Sequence, residues 1–352
     1  MVGGFRTQRA AQQALTALLA DLDRGNYTEP TNQTIAEYAA DWLEAIRPSL
    51  RPSTHHSYAK NLRVHVVPRI GAIPLQSLDA GHLNGLYSRL LVDGHAANGG
   101  GLSPRTVRYV HTILHKALAD AVAWGRLARN LADAAKPPSM ARAASPPPKA
   151  WTALQLRHFL ESTTADPEWV PWLLLGTTGA RRGEILGLRW EDVDLEAATI
   201  SISHSLTYLA GKITLDAPKT TGSRRRVALD AKTAAILRRH KSRQAAHRLA
   251  IGPAWTNEWD LVFTDHLGRP VDPHAFSLRF TRRARALGLP NLSPHGLRHT
   301  WASVALAQGV HPKIVQERLG HSSVVITLAI YSHLVGGMDG AAAETVAAQL
   351  LP

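Results

Sequence analysis

The sequence predicts two domains, an all-α helical bundle followed by an α+β domain that is mostly helical with a small antiparallel sheet. Three observations carry this. The 352 residues are enough for two hydrophobic cores. Helical periodicity runs through the first part of the chain, and strand-like alternation is confined to the second. Between them lies "KPPSMARAASPPPKA" (136–150), whose five prolines resist both helix formation and compaction, so it reads as a non-helical linker.

Within residues 1–32, "TQRAAQQALTALLADLDRG" (7–25) has apolar residues at helical spacing and stops at Gly25. The bundle spans 33–135. "TIAEYAADWLEAI" (34–46) is an amphipathic helix, and "RPSTHHSYAKNLRVHVVPRIG" (51–71) is one that starts at a Ser/Thr capping signal and ends at a Pro/Gly break. "DAGHLNGLYSRLL" (79–91) is a further helix and "ANGGG" (97–101) a loop. In "SPRTVRYVHTILHKALADAVAWG" (103–125), Ser103 is the natural N-cap and Pro104 a first-turn residue. Val107, Val110, Ile113, Leu114, Ala117, Leu118 and Ala121 form its buried stripe. Arg105, Arg108, Thr112, His115 and Lys116 lie away from that stripe, a basic face suited to a DNA groove or to plain solvation.

The second domain spans 151–335. Thr152 caps "ALQLRHFLES", and an apolar helix follows from Trp169 to Thr177. "TISISHSL" (199–206) alternates as a strand, and "KITLDA" (212–217) and "RRVALD" (225–230) complete one small antiparallel sheet with it. From Ala231 the pattern is helical again, apart from a short extended piece at "EWDLVFTD" (258–265). The tail, 336–352, holds a short amphipathic helix in "GAAAETVAAQLL", suited to docking on a neighbouring protomer or on its own domain.

Charge narrows the function. Lys and Arg total 40 against 27 Asp and Glu, a net charge of +13, and residues 1–150 hold 17 and 10 of these. A basic surface spread over both halves suits a polyanion touched by both domains, foremost nucleic acid. A basic protein with no such partner is the plain alternative. The chain has no cysteine, which excludes disulfides, thiolate zinc sites and a cysteine nucleophile. The opening "MVGGFRTQRA" has no apolar signal core, and "VPWLLLG" (170–176) is far too short to span a bilayer. A soluble cytoplasmic protein without membrane contact is expected.

Four segments concentrate chemistry. In "TTGARRGEILGLRWEDVDL" (177–195), Arg181 and Arg182 follow Gly179 at a turn into a helix, where an arginine can hold a phosphate bidentately. Glu184, one turn on, can orient it, although a helix-start ion pair without catalytic role gives the same pattern. In "DAPKTTGSRRRVALD" (216–230), Lys219 sits in a turn between two strands, with Arg224 and Arg225 just after it, placed to meet a DNA backbone. "HGLRHTWASVALAQG" (295–309) puts His295 and Arg298 on one helix face. His295 and His299 mimic half of a zinc-protease site, but Gly296 stands where that motif needs Glu, so no metal is expected. In "ERLGHSSVVITLAIYSHL" (317–334), His321 follows Gly320 and Tyr331 comes ten residues later.

In this order and spacing the four segments resemble the tyrosine recombinases, the phage-integrase family. "TGARRGE", "PKTTGSRR", "HGLRH" and "LGHSSVVITLAIYSH" look like the family's arginine, lysine, H-x-x-R and histidine–tyrosine boxes, covering 151–335. "STHHSYAKNLRVHVVPRIG" through "VAWGRLARN" looks like its core-binding, SAM-like bundle, which grips the opposite face of the duplex. "GGFRTQRAAQQAL" resembles the segment that follows an arm-type DNA-binding domain in many integrases. This sequence starts there, so either the module is lacking or the sequence is truncated.

The resemblance implies a catalytic set: Arg181 and Arg298 on the phosphate with His321, Lys219 as general acid, His295 as base, Glu184 as support and Tyr331 as nucleophile. It implies attack by the Tyr331 hydroxyl on a DNA phosphodiester, a 3′-phosphotyrosyl intermediate, and no cofactor. Double-stranded attachment sites, a tetramer of this chain on DNA, and an accessory DNA-bending or directionality factor are the implied partners, with a nucleoid location when bound. Arg105, Arg108, Lys116, Arg224 and Arg225 are the expected DNA contacts. A type IB topoisomerase and a non-catalytic regulator of the same fold are the rival readings.

Overall fold

The computed structural model describes residues 28–94, 99–143, 149–217 and 224–321, with further positions at 7–9, 12–13, 15–16, 19, 323–325, 327–328, 340, 347–348 and 350. The chain divides into two compact units, Met1–Pro146 and Pro147–Pro352. Most of the helix expected over 7–25 and of the tail helix lies outside the described residues. No helix among the described residues is long and apolar enough to cross a membrane.

The first unit is helical. Helix α1 (Ile35–Ile46) is closed at its start by a capping box: Glu37 accepts the Thr34 N–H at 2.8 Å and the Thr34 hydroxyl accepts that of Glu37. Helix α2 (Pro52–Asn61) begins with Pro52 in its first turn and Arg51 at the N-cap, so the Ser/Thr capping expected there is not used. The expected single helix is also interrupted, by a π turn over Leu62–Val66 before α3 (Val67–Ile70). Pro68 has no N–H to offer the preceding turn, and Arg69 reaches back to the carbonyls of Val64 and His65 instead.

Helix α4 (Ala80–Asp93) is capped by Asp79, and α5 (Pro104–Ala123) by Ser103, whose hydroxyl accepts the Thr106 N–H at 3.2 Å. All seven stripe residues expected of α5 are buried. They pack with Trp42, Val66, Leu75, Leu83 and Leu86. Two polar ties fix α1 on α5: the Tyr38 hydroxyl donates to the Ala117 carbonyl (2.6 Å) and the Trp42 indole to Asp120 (2.8 Å). The proline-rich segment is not wholly without helix, since α6 (Met140–Ala143) forms one turn. Those residues lie between the two proline runs of that segment, and Ser139 supplies both a carbonyl for Ala143 N–H and a side-chain acceptor for Arg142 N–H.

The second unit is α+β. Helix α7 (Ala153–Ser162) has its Thr152–Gln155 capping box, and α8 (Trp169–Thr178) is buried almost throughout. A short α9 (Arg182–Leu186) precedes the strands β1 (Val193–Asp194), β2 (Thr199–Ile202), β3 (Ser205–Leu209), β4 (Lys212–Asp216) and β5 (Arg225–Ala228). Helices α10 (Ala231–Ile251), α11 (Pro273–Ala286), α12 (Pro294–Ala307) and α13 (Pro312–Leu319) follow. Phe159, Trp172, Phe276 and Phe280 form an aromatic centre with ring separations of 4.9–6.4 Å.

The sheet differs from expectation. Among the described residues two antiparallel sheets form, one ordered β1-β2-β5 and one of β3 with β4. "TISISHSL" is therefore two strands, not one. The break falls at Ser203, whose hydroxyl turns to the Asp192 carboxylate at 2.5 Å. The strands β4 and β5 belong to different sheets, and the segment between them that bears Lys219 lies outside the described residues. Residues 258–265 form no strand; Leu261 and Thr264 make only isolated bridges, to Arg189 and Pro270.

Candidate active site

The first arginine is delivered by a glycine turn. Helix α8 ends at Gly179, whose φ of 68° closes the helix in the left-handed conformation. A β-carbon there would lie 2.8 Å from Leu319 and 3.1 Å from Trp301, so Gly179 is also a point of close approach. The chain then places Arg181 just before α9, and Glu184 one turn later at 3% exposure. Glu184 accepts the Arg181 backbone N–H (2.8 Å) and its guanidinium (2.7 Å). The outward part of Arg181, 38% exposed, remains at the surface.

The second arginine arrives from α12. Arg298 is 2% exposed and donates to the Gly179 carbonyl at 3.1 Å, which brings it beside the Arg181 turn. On the same helix the rings of His295 and His299 stand edge to face, 5.2 Å apart. The third approach is α13, which ends at Gly320 with φ 67° and presents His321 directly after it. The His321 Nδ1 lies 2.9 Å from the buried Thr327 hydroxyl. With that hydroxyl donating, the ring proton sits on Nε2, as a hydrogen-bond donor for a ligand.

The electrostatics are one-sided. Burial, and then the charges of Arg298 and Arg181, hold His295 below its ordinary value. Burial and cationic or imidazole neighbours, Arg298 and Arg181 foremost, push His321 down to about 4, and burial with His295 and Arg298 does the same to His299. The carboxylate of Glu184 is already occupied. Burial alone would raise it, but the hydrogen bond and charge of Arg225 with the Arg181 backbone N–H hold it below the usual range. Among the described residues the cluster thus offers fixed cations and neutral imidazoles with no carboxylate left over, an arrangement complementary to an anion.

Arg181, Glu184, His295, Arg298 and His321 are therefore brought together. Lys219 and Tyr331 lie outside the described residues. Arg182 does not join the cluster: it donates to the Pro273 carbonyl (2.9 Å) and Ser277 (2.5 Å), fastening α9 to α11. Among the expected DNA contacts, Arg224 and Arg105 are exposed. Arg108 is spent on the Pro138 carbonyl (2.8 Å), and Lys116 pairs with Asp120 (3.1 Å). Arg225 is corrected outright: its side chain is 7% exposed and faces inward, bound to both oxygens of Glu184. The signal was present in the sequence, because Arg225 alternates in phase with the buried Val227.

Comparison with known proteins follows the same division. Residues 154–336 match the family model described as the phage integrase family, and residues 34–91 match that of the phage integrase N-terminal SAM-like domain. A XerC-like tyrosine recombinase of Caldanaerobacter subterraneus is 25% identical over 97% of this chain and 90% of its own. An integrase of Streptomyces ambofaciens is 28% identical over 94% of this chain and 84% of its own. The transposon Tn1549 integrase in complex with circular intermediate DNA superposes with a TM-score of 0.71 at 21% identity, covering 89% of this chain and 99% of that one. The lambda integrase tetramer bound to a Holliday junction gives 0.61 at 16% identity, over 94% and 88%.

Proposed function

The chain belongs to the phage integrase family and is a site-specific DNA recombinase of the tyrosine type; from that premise we propose how its own residues divide the chemistry. The observation that carries the proposal is the convergence of Arg181, Arg298 and His321 on one cationic site, from three separate helix ends. The substrate is a phosphodiester of a double-stranded attachment site, flanking a mobile element.

The Tyr331 hydroxyl attacks the phosphorus. A tyrosyl–3′-phosphate bond forms and the bond to the 5′-oxygen breaks, so the bond energy is kept for rejoining. Negative charge gathers on the nonbridging oxygens, where Arg181, Arg298 and the Nε2–H of His321 act as preorganised donors. A phenol with an ordinary pKa of about 10 needs a base, and His295, held neutral by burial and then by its cationic neighbours, can accept that proton. The leaving 5′-oxygen takes a proton from Lys219. Recombination of two duplexes calls for four copies of the chain on DNA, aided by an accessory DNA-bending or directionality factor, in the cytoplasm and on the nucleoid. Arg105 in the first unit and Arg224 in the second each supply a contact to the DNA backbone.

The test is covalent capture. DNA from the flanks of the gene, nicked to trap the intermediate, is incubated with wild type and with Tyr331→Phe. An SDS-resistant adduct with wild type alone is the expected result. Tight binding without any adduct overturns the catalytic assignment in favour of a DNA-binding regulator.

A further inference from the structure

Resting on that reading, we infer that Arg225 is a positioning residue that holds three of the proposed catalytic segments in one arrangement: the Arg181 turn, the strand leaving the Lys219 segment, and the helix end presenting His321. Its guanidinium meets both oxygens of Glu184, at 3.2 Å from Nη1 and 2.8 Å from Nη2. Its Nε donates to the Arg318 carbonyl at 2.6 Å.

Each partner lies one step from a proposed catalytic group. The other donors to Glu184 belong to Arg181, so Arg225 fixes the carboxylate that orients that guanidinium. The Arg318 carbonyl belongs to the last turn of α13, immediately before Gly320 and His321. Gly320 leaves room for the contact, because a β-carbon there would lie 3.1 Å from Arg225 Nη1. Arg225 is also the first residue of β5, the strand that receives the chain from the Lys219 segment. Arg318 reinforces the junction by donating to the carbonyls of Thr177 (3.2 Å) and Ala228 (3.0 Å), the ends of α8 and β5.

The chemistry calls for a guanidinium. Only a planar fork donates in parallel to a carboxylate while a third N–H points elsewhere. An ammonium keeps the charge but reaches one of the three partners well. A merely structural ion pair would also be buried, so the test must separate positioning from stability.

The full chain is assayed with nicked attachment-site DNA in single turnover, for wild type, Arg225→Lys, Arg181→Lys and the double variant. Arg225→Lys, which retains a cation opposite Glu184, is the variant chosen to fold; Arg225→Gln serves as the severe comparison. For Arg225→Lys the saturated rate of adduct formation falls at least about 10-fold, while the half-saturating DNA concentration changes less than about 3-fold. In the Arg181→Lys background the same substitution costs less than about 3-fold, because both act through one guanidinium. The inference is overturned by an unchanged rate, by a loss that multiplies fully with Arg181→Lys, or by a loss matched by a lowered melting temperature in Arg225→Lys. If wild type forms no adduct, or Arg181→Lys cuts as fast as wild type, the fault lies in the parent reading and the inference falls with it.

Discussion

Replacing Glu184 with Gln isolates the energetic centre of the second unit. The wild-type carboxylate is 3% exposed and accepts four hydrogen bonds, two from Arg181 and two from Arg225. Gln keeps one acceptor oxygen and turns an NH2 group toward cationic donors. Arg225, 7% exposed, is then a buried cation without its counter-charge. Breaking such a pair from one side costs about 3–5 kcal/mol. Arg181 is 38% exposed, and its share is screened to roughly 0–1 kcal/mol. A total of about 3–6 kcal/mol corresponds to a urea midpoint lowered by about 1.5–3 M, for a slope of roughly 2 kcal/mol/M. Tryptophan fluorescence and far-UV circular dichroism of the full chain measure it, with separate transitions fitted for the two units. The folded pKa of Glu184 lies below its ordinary 4.5, so its stabilisation is complete above that pH and is lost as the pH falls through the folded value. The gap between wild type and variant therefore narrows in acid. A variant that unfolds within about 0.3 M of wild type at pH 7 refutes the reasoning.

Four further outcomes are expected. His321, pushed down to about 4 in the free protein, rises by at least about one unit when a DNA phosphodiester occupies the site, read by histidine NMR titration with and without DNA; an unmoved titration removes His321 from the phosphate. Because His299 and His321 are both lowered from 6.5, protonation favours the unfolded chain, and the second unit loses stability as the pH drops from about 6.5 toward 4. Gly320→Ala forces a β-carbon onto a left-handed φ of 67° beside Arg225, costing about 1–2 kcal/mol in thermal melts and slowing adduct formation; equal melting and equal rate contradict the role given to that turn. Arg298→Ala abolishes strand exchange while duplex binding, by gel shift, stays within about 3-fold; a parallel collapse of binding makes Arg298 a docking residue instead.

The helices were legible because periodicity and caps agree. Every apolar position of the Val107–Ala121 stripe is buried, and Ser103 and Thr152 cap where their spacing indicates. The residues of the candidate site stand out in the sequence as short segments, but the meeting of Arg181, Arg298 and His321 depends on contacts between helix ends, such as Arg298 on the Gly179 carbonyl. The sheet was misread for a physical reason: alternation continues across Ser203 and His204, while the partner of each strand changes there. Arg225 was assigned by its charge, although its phase with Val227 puts it inside. Likewise Arg108 and Lys116 point away from the apolar stripe, yet each finds an acceptor, Arg108 the Pro138 carbonyl far along the chain and Lys116 the Asp120 carboxylate one turn on.

The separate membership of β4 and β5 has a consequence for how such a protein changes over time. In a hairpin, inserting or deleting a residue at the tip slips the pairing of both arms. Here the two anchors belong to independent sheets, so the span from 217 to 224 can lengthen or shorten without disturbing either ladder. The entropic cost is small, about 0.6 kcal/mol for each doubling of length. What does change is how far an ammonium on that span extends from its anchors. The length of chain between the two sheets is thus uncoupled from the pairing within either.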